Sequence, residues 1–402
     1  MKSFNPVRFR EEFPALDDGA VYLDSAATAL KPRSVISATN AFYSSSAGSV
    51  HRSQHLAAQA LTANFESARQ QVARFLNASD ASQIIWTRGT TESINLVAQC
   101  YLRPRLQPGD QIIVSEAEHH ANLIPWQIVA RQCGAEVVKL PVDRNHIPDI
   151  KQLSALLSSK TRMLALGQMS NVTGGMPDLA QAVELAHRAG IPVMVDGAQG
   201  IVHSAIDVQA LDIDFYAFSA HKLYGPTGIG ALYGKAELLE SCEPWLGGGK
   251  MVLEVDFDGF TLQPLPQRLE AGTPNIAGAI GLSAALTLLE KTDLAAAETW
   301  SCQLADEAER LLSAHRGFIS YRSPGSSLLT FNFQGIHYAD MVTLISNAGV
   351  AIRAGQHCAQ PLHRALGTSG SLRASFAPYN NHQDVIALNN AVSLALELLQ
   401  DD

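Results

Sequence analysis

Pro192-Val193-Met194-Val195-Asp196-Gly197-Ala198-Gln199 and Phe215-Tyr216-Ala217-Phe218-Ser219-Ala220-His221-Lys222 set the architecture of this chain. Each starts as a short apolar run and ends in small and polar residues, the pattern of a strand buried on both faces that delivers side chains at its carboxyl end. Moving outward, similar runs at residues 84–87, 111–114, 136–140, 163–166 and 229–232 alternate with longer amphipathic stretches. That alternation predicts an α/β domain around a mostly parallel, seven-stranded sheet with crossover helices. A helical stretch over residues 276–312 leads to a second block, where residues 327–333, 349–353 and 371–376 read as strands and 384–399 as a helix. The expected division is a large domain over residues 15–285 and a smaller C-terminal α+β domain over residues 286–402, with residues 1–14 packing on the smaller one.

Composition narrows the function. The 402 residues carry 29 Lys and Arg against 38 Asp and Glu, a formal charge of −9, and no basic block interrupts that balance. This argues against a nucleic-acid or anionic-membrane partner and for a small molecule. With 47% hydrophobic and 17% charged residues the chain has ample material for a packed core. The five cysteines are scattered, with no pair at the spacing that zinc or redox sites favour, so neither a disulfide framework nor a metal is expected. The charge-free span 271–289 contains Pro274 and several glycines and reads as a core helix. The opening MKSFNPVRFREEFPAL has no continuous apolar stretch, which leaves the cytoplasm as the expected location.

The chemistry gathers at the strand ends. A lone lysine is ordinarily a solvated surface group, but Lys222 and Asp196 both flank strand ends, and that pair suits pyridoxal phosphate. The amine captures the aldehyde and the carboxylate keeps the ring nitrogen protonated. Gly89-Thr90-Thr91 lies between a strand and a helix, where free amides favour a phosphate, although the threonines also suit simple caps. Ser219 and His221 flank the lysine as further donors. In Glu118-His119-His120, His119 suits stacking on a flat cofactor; a hydrogen-bonded core histidine and a metal pair are the competing readings. Cys358 sits in Arg353-Ala354-Gly355-Gln356-His357-Cys358-Ala359-Gln360-Pro361, a loop where His357, Arg353, Arg364 and Arg373 are expected to assist the thiol. Cys100, in an apolar helical setting, reads as packing. Arg373 suits an amino-acid carboxylate, and equally an inter-domain ion pair. Residues 228–234 and 247–250 fail the dinucleotide and P-loop patterns on spacing.

Taken with Tyr22-Leu23-Asp24-Ser25-Ala26-Ala27-Thr28, Arg88-Gly89-Thr90-Thr91-Glu92 and Arg268-Leu269-Glu270-Ala271-Gly272-Thr273-Pro274, these motifs resemble the group II cysteine desulfurases of the SufS/CsdA type. Those belong to the class V aminotransferase family of fold type I pyridoxal-phosphate enzymes, and the likeness covers nearly the whole chain. The resemblance implies that Lys222 carries pyridoxal 5'-phosphate and moves protons, Asp196 pairs with its ring nitrogen, Gln199 contacts the ring hydroxyl and His119 stacks. Thr90, Thr91, Ser219 and His221 would hold the cofactor, while Thr273 would reach the phosphate of a second subunit in a homodimer. Arg373, Asn171 and Arg353 would bind substrate. L-cysteine would become L-alanine, with its sulfur held as a persulfide on Cys358 and then passed to an acceptor protein of the SufE type for iron-sulfur cluster assembly or sulfur trafficking. Selenocysteine and cysteine sulfinate are the further substrates implied. Gln356 departs from the histidine that many SufS-like relatives carry there. The alternatives are another fold type I enzyme, an aminotransferase or kynureninase-like lyase, and a noncatalytic sulfur-carrier scaffold.

Overall fold

A computed structural model describes residues 2–45, 48–51 and 55–400. β1 (Val21–Tyr22) precedes the large sheet, which is built from β2 (Ile84–Thr87), β3 (Gln111–Ser115), β4 (Glu136–Leu140), β5 (Thr161–Gly167), β6 (Val193–Asp196), β7 (Phe215–Ser219) and β8 (Gly230–Gly234). Their order is β2-β8-β7-β6-β5-β3-β4. Only β8 runs against its neighbours β2 and β7; the remaining pairs are parallel. All seven strands read from the sequence are present, with small shifts at their ends.

The period of two along each strand divides its side chains between two cores. Leu164, Leu166, Val193, Val195, Tyr216 and Phe218 face one core, and Met163, Ala165, Met194, Phe215 and Ala217 face the other. Burial on both faces is why these strands read as unbroken apolar runs.

β9 (Val252–Asp256) and β10 (Gly259–Leu262) form an exposed hairpin. The second domain holds β11 (Phe318–Ser320), β12 (Leu328–Phe333), β13 (Val350–Ala351), β14 (Arg353–Gly355) and β15 (Ser371–Ser375). Four of these form an antiparallel sheet, β11-β12-β15-β14. Its core also takes in the helices Leu294–Leu312, Tyr338–Asn347 and His382–Gln400.

The structure differs from the sequence reading in two elements. The helical stretch 276–312 is two helices, Ile276–Lys291 and Leu294–Leu312. Thr292 is extended between them, and the Asp293 side chain accepts from the Ala296 amide at 3.1 Å to start the second. The single strand expected at 349–353 is split, because β13 pairs in parallel with β1 while β14 pairs with β15. Near the N-terminus, Phe13 packs on Tyr224 and Tyr379 with ring centroids 5.7 and 4.7 Å apart. Arg10 donates to the Tyr379 carbonyl at 2.7 Å and to Asp384 at 3.0 Å. No described helix is long and apolar enough to cross a membrane.

Candidate active site

A cavity of about 280 Å³ opens between the carboxyl ends of the large sheet and the second domain. Thr90 and Thr91 reach it after β2, His119 after β3, Asn171 after β5, Asp196 and Gln199 from the end of β6, and Ser219, His221 and Lys222 from the end of β7. Arg353, Cys358 and Arg373 enter from the second domain. Thr273 does not line it. That residue faces a separate cavity of about 220 Å³, together with Arg268 and Asn275.

Asp196 is buried, and its Oδ1 accepts from the Ala198 amide at 2.9 Å. Burial pushes this carboxyl up, opposed by that amide and by the charge of Lys222. Lys222 ends the short turn Ala220–Lys222, and burial pushes its amine down to about 8 although Asp196 pulls the other way. A sizeable uncharged fraction near neutral pH follows, which is the form that attacks an aldehyde. The turn is held at the His221 carbonyl, which accepts from the Ala29 amide at 3.0 Å, the Thr28 hydroxyl at 3.2 Å and Lys31 Nζ at 2.8 Å.

The candidate anion cup after β2 is formed by close approach of backbone. Gly89, at φ +149°, caps the helix Thr90–Leu96, and a Cβ there would lie 3.0 Å from Ser219 Oγ. Ser219 Oγ accepts from the Thr90 amide at 2.8 Å and pairs with the Thr90 hydroxyl at 2.8 Å. Thr90 therefore does not cap its own helix; its hydroxyl, its amide and Ser219 converge at one point. A Cβ on Gly230 would come within 2.4 Å of the Phe218 carbonyl and 2.6 Å of Gly89 Cα, so β8 must carry glycine there.

Gln199 is buried, lines the cavity, and its Oε1 has no partner. This orphaned oxygen, the Asp196 carboxylate, the Lys222 amine and the donor cup fit pyridoxal phosphate: a ring hydroxyl, a pyridinium, an aldehyde and a phosphate respectively. His119 accepts the Ala121 amide at Nδ1, 3.0 Å away, so its proton sits on Nε2. Burial and then the Lys222 charge push it down to about 4, leaving a neutral ring. His120 is used differently, with Nε2 accepting from the Gln360 amide at 3.3 Å. Among the described residues no cluster is placed to hold a metal ion.

Cys358 is exposed, on a loop between β14 and the helix Gln360–Ala365. His357 and Cys358 are both left-handed, at φ +48° and +54°, a conformation costly for side chains other than glycine. The loop is held in it by backbone contacts. The His120 amide donates to the Cys358 carbonyl at 2.7 Å, and Asn171 Nδ2 to the His357 carbonyl at 2.8 Å. His357 does not have the part expected of it. Its Nε2–H donates to the Ser371 carbonyl at 3.1 Å, and burial with the nearby Arg373 charge pushes the ring down to about 2, making it a neutral anchor. Arg364 is exposed and does not line the cavity. Arg353 and Arg373 supply positive charge around the thiol. Cys100, Cys242 and Cys302 are each pushed up to about 12, primarily by burial.

A model of the class-V aminotransferases matches residues 21–388. The chain belongs to the class-V aminotransferase family. It is 66% identical over 401 residues to the cysteine desulfurase CsdA of Escherichia coli strain K12, covering the whole of both chains. The crystal structure of that CsdA in its S-sulfonic acid form matches with a TM-score of 0.94 over 98% of this chain and 99% of the other. An apo cysteine desulfurase from Thermococcus onnurineus NA1, 33% identical, matches with a TM-score of 0.93 over 99% and 100%. The cofactor of the class-V aminotransferases and these desulfurase relatives is pyridoxal 5'-phosphate.

Two residues of this member of the class-V aminotransferase family escaped the sequence reading as parts of the site. Asp24 is bonded by Arg353 at 3.0 Å and by Arg373 at 3.3 Å. Arg373 also donates to the Asn171 carbonyl at 2.7 Å and keeps Nε unpartnered. One carboxylate between two guanidiniums leaves an excess of positive charge at the cavity, so the ion-pair reading of Arg373 and the substrate reading are compatible. Glu118 precedes His119 and is buried; burial pushes its carboxyl up to about 8 although Asn122 and the Gly167 amide donate to it. Asp24 lies in a motif quoted above, but its bridging is visible only when β1 and β15 are brought together. Nothing in the local sequence of Glu118 signals its burial.

Proposed function

We propose that this chain is a pyridoxal-phosphate-dependent cysteine desulfurase that converts L-cysteine to L-alanine and holds the sulfur as a persulfide on Cys358. One observation carries this reading: Lys222 and Cys358, from different domains, open into the same cavity. An aminotransferase needs the lysine but has no use for an exposed thiol held opposite it. The desulfurase names of the relatives in Escherichia coli and Thermococcus support the same choice.

Pyridoxal phosphate, when bound, supplies the electron sink that makes the substrate Cα–H acidic. The chain does the rest. The Arg373 fork, with Arg353 beside it, binds the substrate carboxylate. Lys222, as a free amine, takes the Cα proton. The Cys358 thiolate then attacks the substrate sulfur: the S–S bond forms as the C–S bond breaks, the electron pair returns to the substrate, and protonation gives alanine. Neutral His119 holds a proton at Nε2 and would cover a face of the cofactor ring. The balance is one L-cysteine and one thiol giving one L-alanine and one persulfide.

The exposed position of Cys358 suits delivery of that sulfur to an acceptor protein of the SufE type, for iron-sulfur cluster assembly or sulfur trafficking in the cytoplasm. Thr273 faces the second cavity, away from Lys222 of its own chain, which suits a homodimer in which it reaches the phosphate of the other subunit. Selenocysteine and cysteine sulfinate fit the same carboxylate site and are proposed as further substrates.

The test is alanine formation from L-cysteine by the purified holoenzyme, compared with Cys358→Ser. The reading requires alanine from the wild type and its loss in the variant; equal alanine from both would overturn it.

A further inference from the structure

We propose that His203 and Glu298 are positioning residues that set which end of the Gln199 amide faces the cofactor, so that the second domain controls how this group is presented. The inference rests on reading Gln199 as a contact to the cofactor ring.

A buried glutamine has two ends of equal size and opposite hydrogen-bonding character, so its orientation must be imposed from behind. Here Gln199 Nε2 lies 2.9 Å from His203 Nε2, and His203 Nδ1 lies 3.0 Å from Glu298 Oε2. Ser327 Oγ donates to the other oxygen, Glu298 Oε1, at 2.9 Å and also lies 3.1 Å from His203 Nδ1. With Glu298 at Nδ1, the neutral imidazole carries its proton there and presents a lone pair at Nε2, which accepts. The Gln199 NH₂ group is therefore drawn to His203, and the carbonyl is the end turned to the cavity, where Oε1 has no partner.

The relay crosses between domains. Gln199 and His203 lie just after β6 in the large domain, whereas Glu298 is on the helix Leu294–Leu312 and Ser327 immediately precedes β12. His203 has 7% of its side chain exposed. Ser327 and Cys302 both donate to Glu298 Oε1, at 2.9 and 3.5 Å, which leaves Oε2 to His203. A void of about 20 Å³ touches Gln199, His203, Glu298 and Lys222, so the relay runs beside the lysine as well.

The test is titration of the apo-protein with pyridoxal phosphate, reading the dissociation constant and the visible spectrum of the bound cofactor, in Gln199→Ala, His203→Ala, the double variant, Glu298→Leu and Glu298→Gln. Gln199→Ala and His203→Ala should each weaken binding about threefold to tenfold, the worth of one hydrogen bond, and move the spectrum the same way. The double variant should be no worse than Gln199→Ala. Glu298→Leu should behave like His203→Ala. Glu298→Gln, whose carbonyl still accepts from Nδ1 and whose NH₂ can donate to Ser327, should restore most of the loss. This isosteric variant keeps the test informative if the larger changes fail to fold. Unchanged binding and spectrum in His203→Ala where Gln199→Ala alters both would overturn the inference, as would losses that multiply in the double variant. A silent Gln199→Ala would overturn it together with the reading of Gln199, while alanine formation by the wild type would still support the desulfurase assignment.

Discussion

The His120 amide donates to the carbonyl of Cys358 at 2.7 Å, tying the thiol loop of the second domain to the segment after β3 that carries His119. The loop is placed by its backbone and by its neighbours Asn171 and Ser371, none of which involves the thiol itself. Cys358→Ser should therefore fold and bind pyridoxal phosphate with the wild-type spectrum, while alanine production from L-cysteine falls at least about a thousandfold, as when a nucleophile is removed. Absorbance and an alanine assay on the same sample check this. A variant that lost the cofactor would show that the thiol also supports the site.

Lys222 captures the cofactor only as an uncharged amine. Burial lowers its pKa to about 8, so capture by the apo-protein should quicken as pH rises towards 8 and level off above it. An exposed lysine, at 10.5, would keep gaining through pH 10. Stopped-flow absorbance across pH 6 to 10 distinguishes the two, and continued rise to the upper limit would contradict the burial argument.

Arg373 is a fork whose Nε is still unpartnered. Arg373→Lys keeps the charge and loses the fork, so kcat/KM for L-cysteine should fall about tenfold to a hundredfold, chiefly through KM. A fall confined to kcat would place the arginine in the chemistry instead of in substrate binding.

Two glycines separate site from fold. A Cβ on Gly89 meets the Ser219 hydroxyl at 3.0 Å, at φ +149°, whereas one on Gly230 meets backbone at 2.4 Å. Gly89→Ala should weaken cofactor binding about tenfold with a smaller change in apo-protein melting, the strain at this φ being of order 1–3 kcal/mol. Gly230→Ala should lower the apo-protein melting temperature itself, because β7, β8 and residue 89 must part. Equal effects of the two on melting would remove the distinction.

The large sheet was legible because its central strands β5 to β8 are largely apolar and buried on both faces, so their reading needed no partner. Lys222, Asp196 and Gln199 followed, since residues at the ends of adjacent parallel strands converge whatever the loops do. β13 and β14 were not legible as separate strands, because one pairs with β1 at the other end of the chain and the other with β15. His357 was misread for a related reason. Its place beside a cysteine suggested a helper, but the Ser371 carbonyl that takes its proton and the burial that keeps it neutral come from packing. Asp24 bridging two arginines and Glu298 reaching His203 likewise depend on the second domain closing over the first.

The most direct measurement is the mass of the proteolytic peptide spanning residues 354–364 after the holoenzyme is mixed with L-cysteine under conditions that preserve persulfides. The account predicts a gain of one sulfur atom on Cys358, matched in amount by the first alanine released. Alanine accumulating while this peptide keeps its original mass, with the added sulfur on another cysteine or on none, would contradict it.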